Sequence, residues 1–241
     1  MGNQSRLIAL PRLTKRNSSW DLGTCIPAQV LGPDGIIPAQ QSSIKVLELT
    51  THPFCTSYDD AECQIDLSAF NQLQHLEWRG PNIDNLKAFS VALRANSKHL
   101  KALKLDLVNW EYLRQKLGYQ SDEERLNDLT AREYFANTFF DIGTRSLRIV
   151  FPNIDTLVLT EVPLTESLAR AINPDTLRSL TVRSCPKWYE FLLGLAQLET
   201  PIRLKSLELQ EILPKDDGED DGEDDGEDDG EDDGEDPILV L

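Results

Sequence analysis

The side chains with the widest chemical range in this 241-residue chain are three histidines, His52, His75 and His99, and four cysteines, Cys25, Cys55, Cys63 and Cys185. An imidazole becomes a general base or a metal ligand when a carboxylate, a nucleophile or a second ligand is held beside it. The three histidines fall at strand-edge positions in three separate places, and no partner group stands at a matching position. The nearest cysteines, Cys55 and Cys63, are separated by seven residues, whereas zinc ligands usually come in pairs with about two to four residues between them. The cysteines therefore read as free, buried or half-buried thiols. No Gly-x-x-x-x-Gly-Lys loop is present to cradle a phosphate, and no Gly-x-Ser-x-Gly elbow to carry a nucleophile. The expectation is a non-enzyme with no catalytic residue, no cofactor and no metal.

The charge of the chain is concentrated in one place. The formal net charge is −17, but the 21 positions from Asp216 to Asp236 hold five glycines and 16 acidic residues. Setting those 16 aside leaves 25 acidic residues against 24 Lys and Arg, so the remainder is nearly neutral. Repulsion and frequent glycine predict disorder over 214–236, because nothing there offsets chain entropy. The period-four repeat does not fit a calcium loop: counted from Asp217, Gly222 is sixth, but Glu219 is third and Asp228 twelfth. Direct nucleic-acid binding is disfavoured, since no basic stripe offsets the tract. No apolar run approaches the roughly 18 residues a membrane helix needs. The first residues lack a secretory signal, and Arg6 stands where a myristoylation motif wants Ser or Thr. With few cysteines, these features predict an intracellular compartment, cytoplasm or nucleus.

The elements that would position any site repeat along the chain. An aliphatic residue, two variable positions, Leu, one variable position and another apolar residue recur six times. The copies are Ile44, Leu47, Leu49; Leu73, Leu76, Trp78; Leu100, Leu103, Leu105; Ile154, Leu157, Leu159; Leu177, Leu180, Val182; and Leu204, Leu207, Leu209. Their first positions are 29, 27, 54, 23 and 27 residues apart, and 54 is twice 27. This is similar to the spacing of leucine-rich repeats, each a strand followed by a helix. The match extends to Cys185, at the ninth position, where a side chain would satisfy the backbone at the strand's turn. His52 could serve likewise in the first copy. Pro81, Val108, Val162 and Ile212 could not, so the other turns are expected to be irregular.

Between the strands the period shifts toward 3.6. Leu86, Phe89 and Leu93 share a helix face, with Asp84 a plausible cap. A second helix over 165–172 ends at Asn173-Pro174, and a third begins after Pro186 and stops by Pro201. Trp110–Leu117 and Asp122–Phe140 also read as helical. They are taken as an insertion at about 110–145 rather than a degenerate repeat. Trp110 and Trp188 are expected to anchor strand-to-helix corners, and Trp20 to belong to an N-terminal cover. The predicted fold class is α/β, a leucine-rich-repeat solenoid with six parallel strands on a concave face and helices on the convex face. Its divisions are an irregular N-terminal cap over 1–43, repeats over 44–213, the acidic segment 214–236 and an apolar end 237–241. Because Ile238 to Leu241 are strongly apolar, they read as the start of a truncated repeat. The sixth strand would then be an open edge, and the chain would self-associate when salt screens the tract.

The set of copies resembles the cysteine-containing leucine-rich repeats of F-box proteins, and more specifically uncharacterised fungal proteins of the F-box and leucine-rich-repeat type. The residues carrying that likeness are Arg16 to Cys25, Ile65 to Phe70 and Ser184 to Trp188, within about Leu10 to Leu213. The resemblance implies a receptor whose repeats capture a client while an F-box docks on the adaptor of a cullin ubiquitin ligase. An F-box itself is not found. Leu10-Pro11 could open one, but Gly32, Pro33, Gly35 and Pro38 interrupt the helical stretch that an F-box requires after it.

In such strands the leucines point into the core and the residues between them face the concave surface. That surface is expected to display Glu48, Thr50, His75, Glu77, Arg79, Lys104, Asp106, Thr160, Thr181, Arg183, Glu208 and Gln210. Its mixed charges suit a polar protein surface, so a protein-interaction module is the leading expectation, with the client unidentified. The alternative is an acidic chaperone or histone-binding factor acting through 216–236.

Overall fold

The computed structural model describes residues 17–21, 26–41, 43–54, 65–118, 124–142 and 150–211, with side chains omitted over 17–21 and 124–128. The acidic segment, the apolar end and Cys25, Cys55 and Cys63 lie outside the described residues.

The order of elements is β1 (Asn17–Asp21), α1 (Ala28–Leu31), α2 (Ile36–Gln40), β2 (Val46–Thr50), β3 (His75–Arg79), α3 (Ile83–Asn96) and β4 (Ala102–Asp106). Next come α4 (Trp110–Lys116), α5 (Glu124–Phe139), β5 (Thr156–Thr160), α6 (Glu166–Ala171), β6 (Ser179–Arg183), α7 (Trp188–Ala196) and β7 (Ser206–Gln210). The seven described strands form one sheet in the order in which they occur in the chain, and every neighbouring pair is parallel. Parallel neighbours need a crossover; helices stand in each of these intervals except β2 to β3, where the described residues hold none.

Register aligns the leucines in rows. Leu47, Leu76, Leu103, Leu157 and Leu180 are successive partners, and Leu49, Trp78, Leu105, Leu159 and Val182 form the next row. All ten are at most 2% exposed. They form one core with Leu86, Phe89 and Leu93 of α3, Phe135 and Phe139 of α5, Leu168 of α6 and Phe191 of α7. Parallel sheets are usually covered on both faces and read as continuous apolar runs. Here β2, β4 and β5 alternate half-buried and buried positions, and no described element covers the second face.

The N-terminal stretch, expected as an irregular cap over 1–43, is described over 17–21, 26–41 and 43 and holds β1, α1 and α2 there. It contributes β1, which pairs with β2 so that Ser18 and Trp20 stand opposite Leu47 and Leu49. A serine at the leucine position conceals the repeat pattern, whereas the strand forms through main-chain hydrogen bonds to the edge of β2.

β4 pairs directly with β5, so the long gap contains helices and no strand among the described residues. α5 packs between α3 and α6 and so takes the place of a crossover helix. An aromatic chain fills the core beneath it: Trp78, Phe89, Phe140 and Phe151 meet edge to face at 6.1–6.5 Å, and Phe135 meets Trp110 at 5.4 Å. Such pairs favour offset or T-shaped geometry through the ring quadrupole. Trp110, 4% exposed, thus holds α4 against α5, and the half-buried Trp188 packs on the core at the start of α7. Arg132, 3% exposed, ties α5 to the next layer through the Leu164 carbonyl at 3.0 Å and the Glu190 carboxylate at 2.9 Å.

The turns after the strands also differ from expectation. The cap of α3 is Asn82, whose Oδ1 accepts from the Asn85 amide at 2.9 Å; Asp84 lies inside the helix. The corners share a regular backbone device in place of irregular turns. Thr51, Gly80, Leu107, Glu161 and Ser184 each donate their amide to the carbonyl of the last residue of the following strand, at 2.7–3.1 Å. Gly80, Glu161 and Ser184 reach it with φ of 66°, 57° and 51°. In the first copy Thr51, not the exposed His52, closes the corner: its hydroxyl donates to the Gly80 carbonyl at 2.8 Å and accepts from Trp78 Nε1 at 2.9 Å. Cys185 Sγ lies 3.3 Å from the Leu159 and Arg183 carbonyl oxygens.

At the far end, β7 is exposed throughout. Leu207 and Leu209 are 52% and 42% exposed, in the rows where the preceding strands bury theirs. Among the described residues no helix is long and apolar enough to cross a membrane.

Candidate functional site

The open face of the sheet carries all twelve residues expected there, in register rows. Glu48, Glu77, Lys104, Val158, Thr181 and Glu208 occupy one row, and Thr50, Arg79, Asp106, Thr160, Arg183 and Gln210 the next. His75 stands one row away, opposite Val46 and Ala102. Alternation along each strand puts these side chains on the side away from the leucines. Arg79, Glu208 and Gln210 are exposed, Thr181 is buried and the others are half-buried. The structure brings those of β3 to β6 together and leaves Gln210 at the exposed end.

The middle of this face is a groove of about 430 Å³, lined by Glu77, Arg79, Lys104, Asp106, Thr160 and Arg183 with Val158 among them. Opposite charges are paired across strands. Lys104 Nζ is 2.8 Å from Glu77 Oε2, Arg79 Nε is 3.3 Å from Asp106 Oδ2 and Arg183 Nε is 2.9 Å from Glu208 Oε1. Burial pushes the Glu77 carboxyl up, but the hydrogen bond and charge of Lys104, with His75 beside it, outweigh that and hold it below its ordinary value. The neighbouring Glu161 carboxyl is raised, by burial first and by the charge of Asp106, with the Trp110 amide opposing. Burial pushes the Cys185 thiol up to about 12, which suits a corner fastener and not a nucleophile.

Sequence reasoning found no carboxylate partner for any histidine, and for His75 this is corrected. Its Nε2 lies 3.5 Å from Glu77 and 3.9 Å from Glu48, because Glu48 and Glu77 are register partners. The signal was present in the repeat: both glutamates come directly after the same leucine position, and His75 precedes Glu77 by two on the same face. His99 is elsewhere, beside Lys98, Lys101 and Arg178 in a separate groove at the N-terminal ends of the strands. No protein-family model, no curated protein and no solved structure matches the chain.

Proposed function

We propose that the chain is a leucine-rich-repeat solenoid that binds another protein on the polar face of its sheet. The observation that carries this reading is the open face itself. A parallel sheet with one face left uncovered by the described residues, bearing a groove edged by Arg79, Lys104 and Arg183 and by Glu77 and Asp106, offers both signs of charge within one contact. Charges arranged this way discriminate among partners and steer encounter more than they add raw affinity. A partner of matching chemistry presents an extended or helical segment with both acidic and basic side chains. On this reading the protein binds and does not catalyse. The resemblance to F-box leucine-rich-repeat proteins extends the proposal to a client receptor related to ubiquitin-ligase subunits, and by that analogy to a ligase adaptor as second partner.

The test is quantitative affinity purification with three baits: the parent chain, a chain with Arg79→Glu and Arg183→Glu, and a chain lacking 216–236. A partner retained without the acidic segment and lost with the charge reversals supports the face. A partner lost only with the segment supports a second reading, a basic-protein or histone-binding factor, which the 16 acidic residues within 21 positions favour. Recovery of a cullin and its adaptor would support the ligase role.

A further inference from the structure

We propose that Glu48, His75 and Glu77 form a binding site for a divalent cation of the zinc class. Glu48 and Glu77 stand directly opposite each other on adjacent strands, an arrangement that is destabilising for like charges unless something positive lies between them. His75, two residues before Glu77, turns its Nε2 into that gap. The nitrogen is shielded from solvent and makes no hydrogen bond of normal geometry; its nearest carboxylate, that of Glu77, is 3.5 Å away. An imidazole nitrogen so placed, facing two carboxylates, can join them as a metal ligand in its neutral form.

The spacing fits a metal. One donor atom from each residue can be chosen so that all three lie within 4.8 Å of one another, and the nitrogen is 3.5 and 3.9 Å from the two carboxylates. Donors about 2.0–2.2 Å from zinc at tetrahedral angles are roughly 3.3–3.5 Å apart. Small side-chain rotations close the difference. One imidazole and two carboxylates select zinc and its neighbours over calcium or magnesium, which take oxygen alone. Three protein donors leave a coordination position for water or an incoming ligand. Lys104 is the competing cation: its Nζ lies 2.8 Å from Glu77 Oε2, so the metal either uses the other oxygen or displaces the ammonium. The site stands independently of the docking reading, because it is decided by metal titration alone.

The experiment is calorimetric titration of the full chain with Zn²⁺ in excess Mg²⁺, which occupies the carboxylates of 216–236. The expected result is one Zn²⁺ per chain, weakened at least tenfold by His75→Ala and by Glu48→Gln. His52→Ala and His99→Ala should leave it unchanged, and Lys104→Met should bind at least as tightly as the parent. Binding that is equal in His75→Ala, or zinc binding wholly removed by Mg²⁺, overturns the proposal. Should a variant fold poorly, the ¹⁵N shift of the His75 ring in the parent decides: movement on adding Zn²⁺ supports the site, and an unmoved signal overturns it.

Discussion

Asn96→Ala tests how the strands are held to the helix layer. Asn96 closes α3 and is 0% exposed. Its Nδ2 donates to the Phe70 carbonyl at 2.6 Å and the Ala92 carbonyl at 2.8 Å, and its Oδ1 accepts from the Leu73 amide at 2.7 Å. The side chain therefore binds the segment entering β3. Alanine would leave the Phe70 carbonyl and the Leu73 amide without these partners. A buried group left unsatisfied costs about 1–3 kcal/mol, so the two together predict a loss of about 2–6 kcal/mol. The higher helix propensity of alanine returns only about 0.5 kcal/mol. Urea denaturation followed by far-UV circular dichroism measures the difference, with an unchanged m value showing that only stability moved. Asn96→Asp is the informative companion. It keeps the acceptor but places a carboxylate where a donor is required, so its folded pKa should rise. Its stability relative to the parent should therefore fall as the pH rises above about 4. A midpoint for Asn96→Ala equal to that of the parent would refute the argument that these bonds bear on stability.

Four further outcomes can be measured on the same protein. Leu157→Ala, at a position 1% exposed between Leu103 and Leu180 in its row, should lose about 2–5 kcal/mol in denaturant titration; a parent-like midpoint would mean that the register is wrong. Gly80→Ala places a methyl 2.3 Å from the Thr51 carbonyl oxygen at a φ of 66°, and should lower stability by at least about 2 kcal/mol, while Ser184→Gly should not. Cys185, buried with its thiol pushed up to about 12, should resist alkylation at pH 8 until urea unfolds the chain, as peptide mapping would report; rapid labelling under native conditions contradicts the structure. The carboxyl of Glu77 is held below its ordinary value, so the stability it contributes is present above about pH 4.5 and lost as the pH falls through the lowered folded value. The stability difference between the parent and Lys104→Met should shrink over that acid range, and a difference independent of pH would count against the ion pair.

What the sequence alone determined is six of the strands and the helices that lie between most of them. A strand covered on one face needs leucine at alternate positions, and a helix packed on it needs the 3.6 period, so both are written in short stretches of chain. Ile44 to Leu49 or Ile154 to Leu159 announce their strands without reference to any other residue, and the polar positions between the leucines are set with them. Tertiary structure decided everything that depends on a partner distant in sequence. β1 carries Ser18 where a leucine would mark a strand and is defined by main-chain pairing with β2. Thr51 closes the first corner through Gly80 and Trp78, 29 and 27 residues away, so the choice between it and His52 could not be made locally. The Glu48, His75 and Glu77 cluster lies at the same limit. Repeat alignment sets the two glutamates opposite each other, but only the packed sheet brings the His75 nitrogen between them, because direction and burial of a side chain belong to the fold and not to the strand.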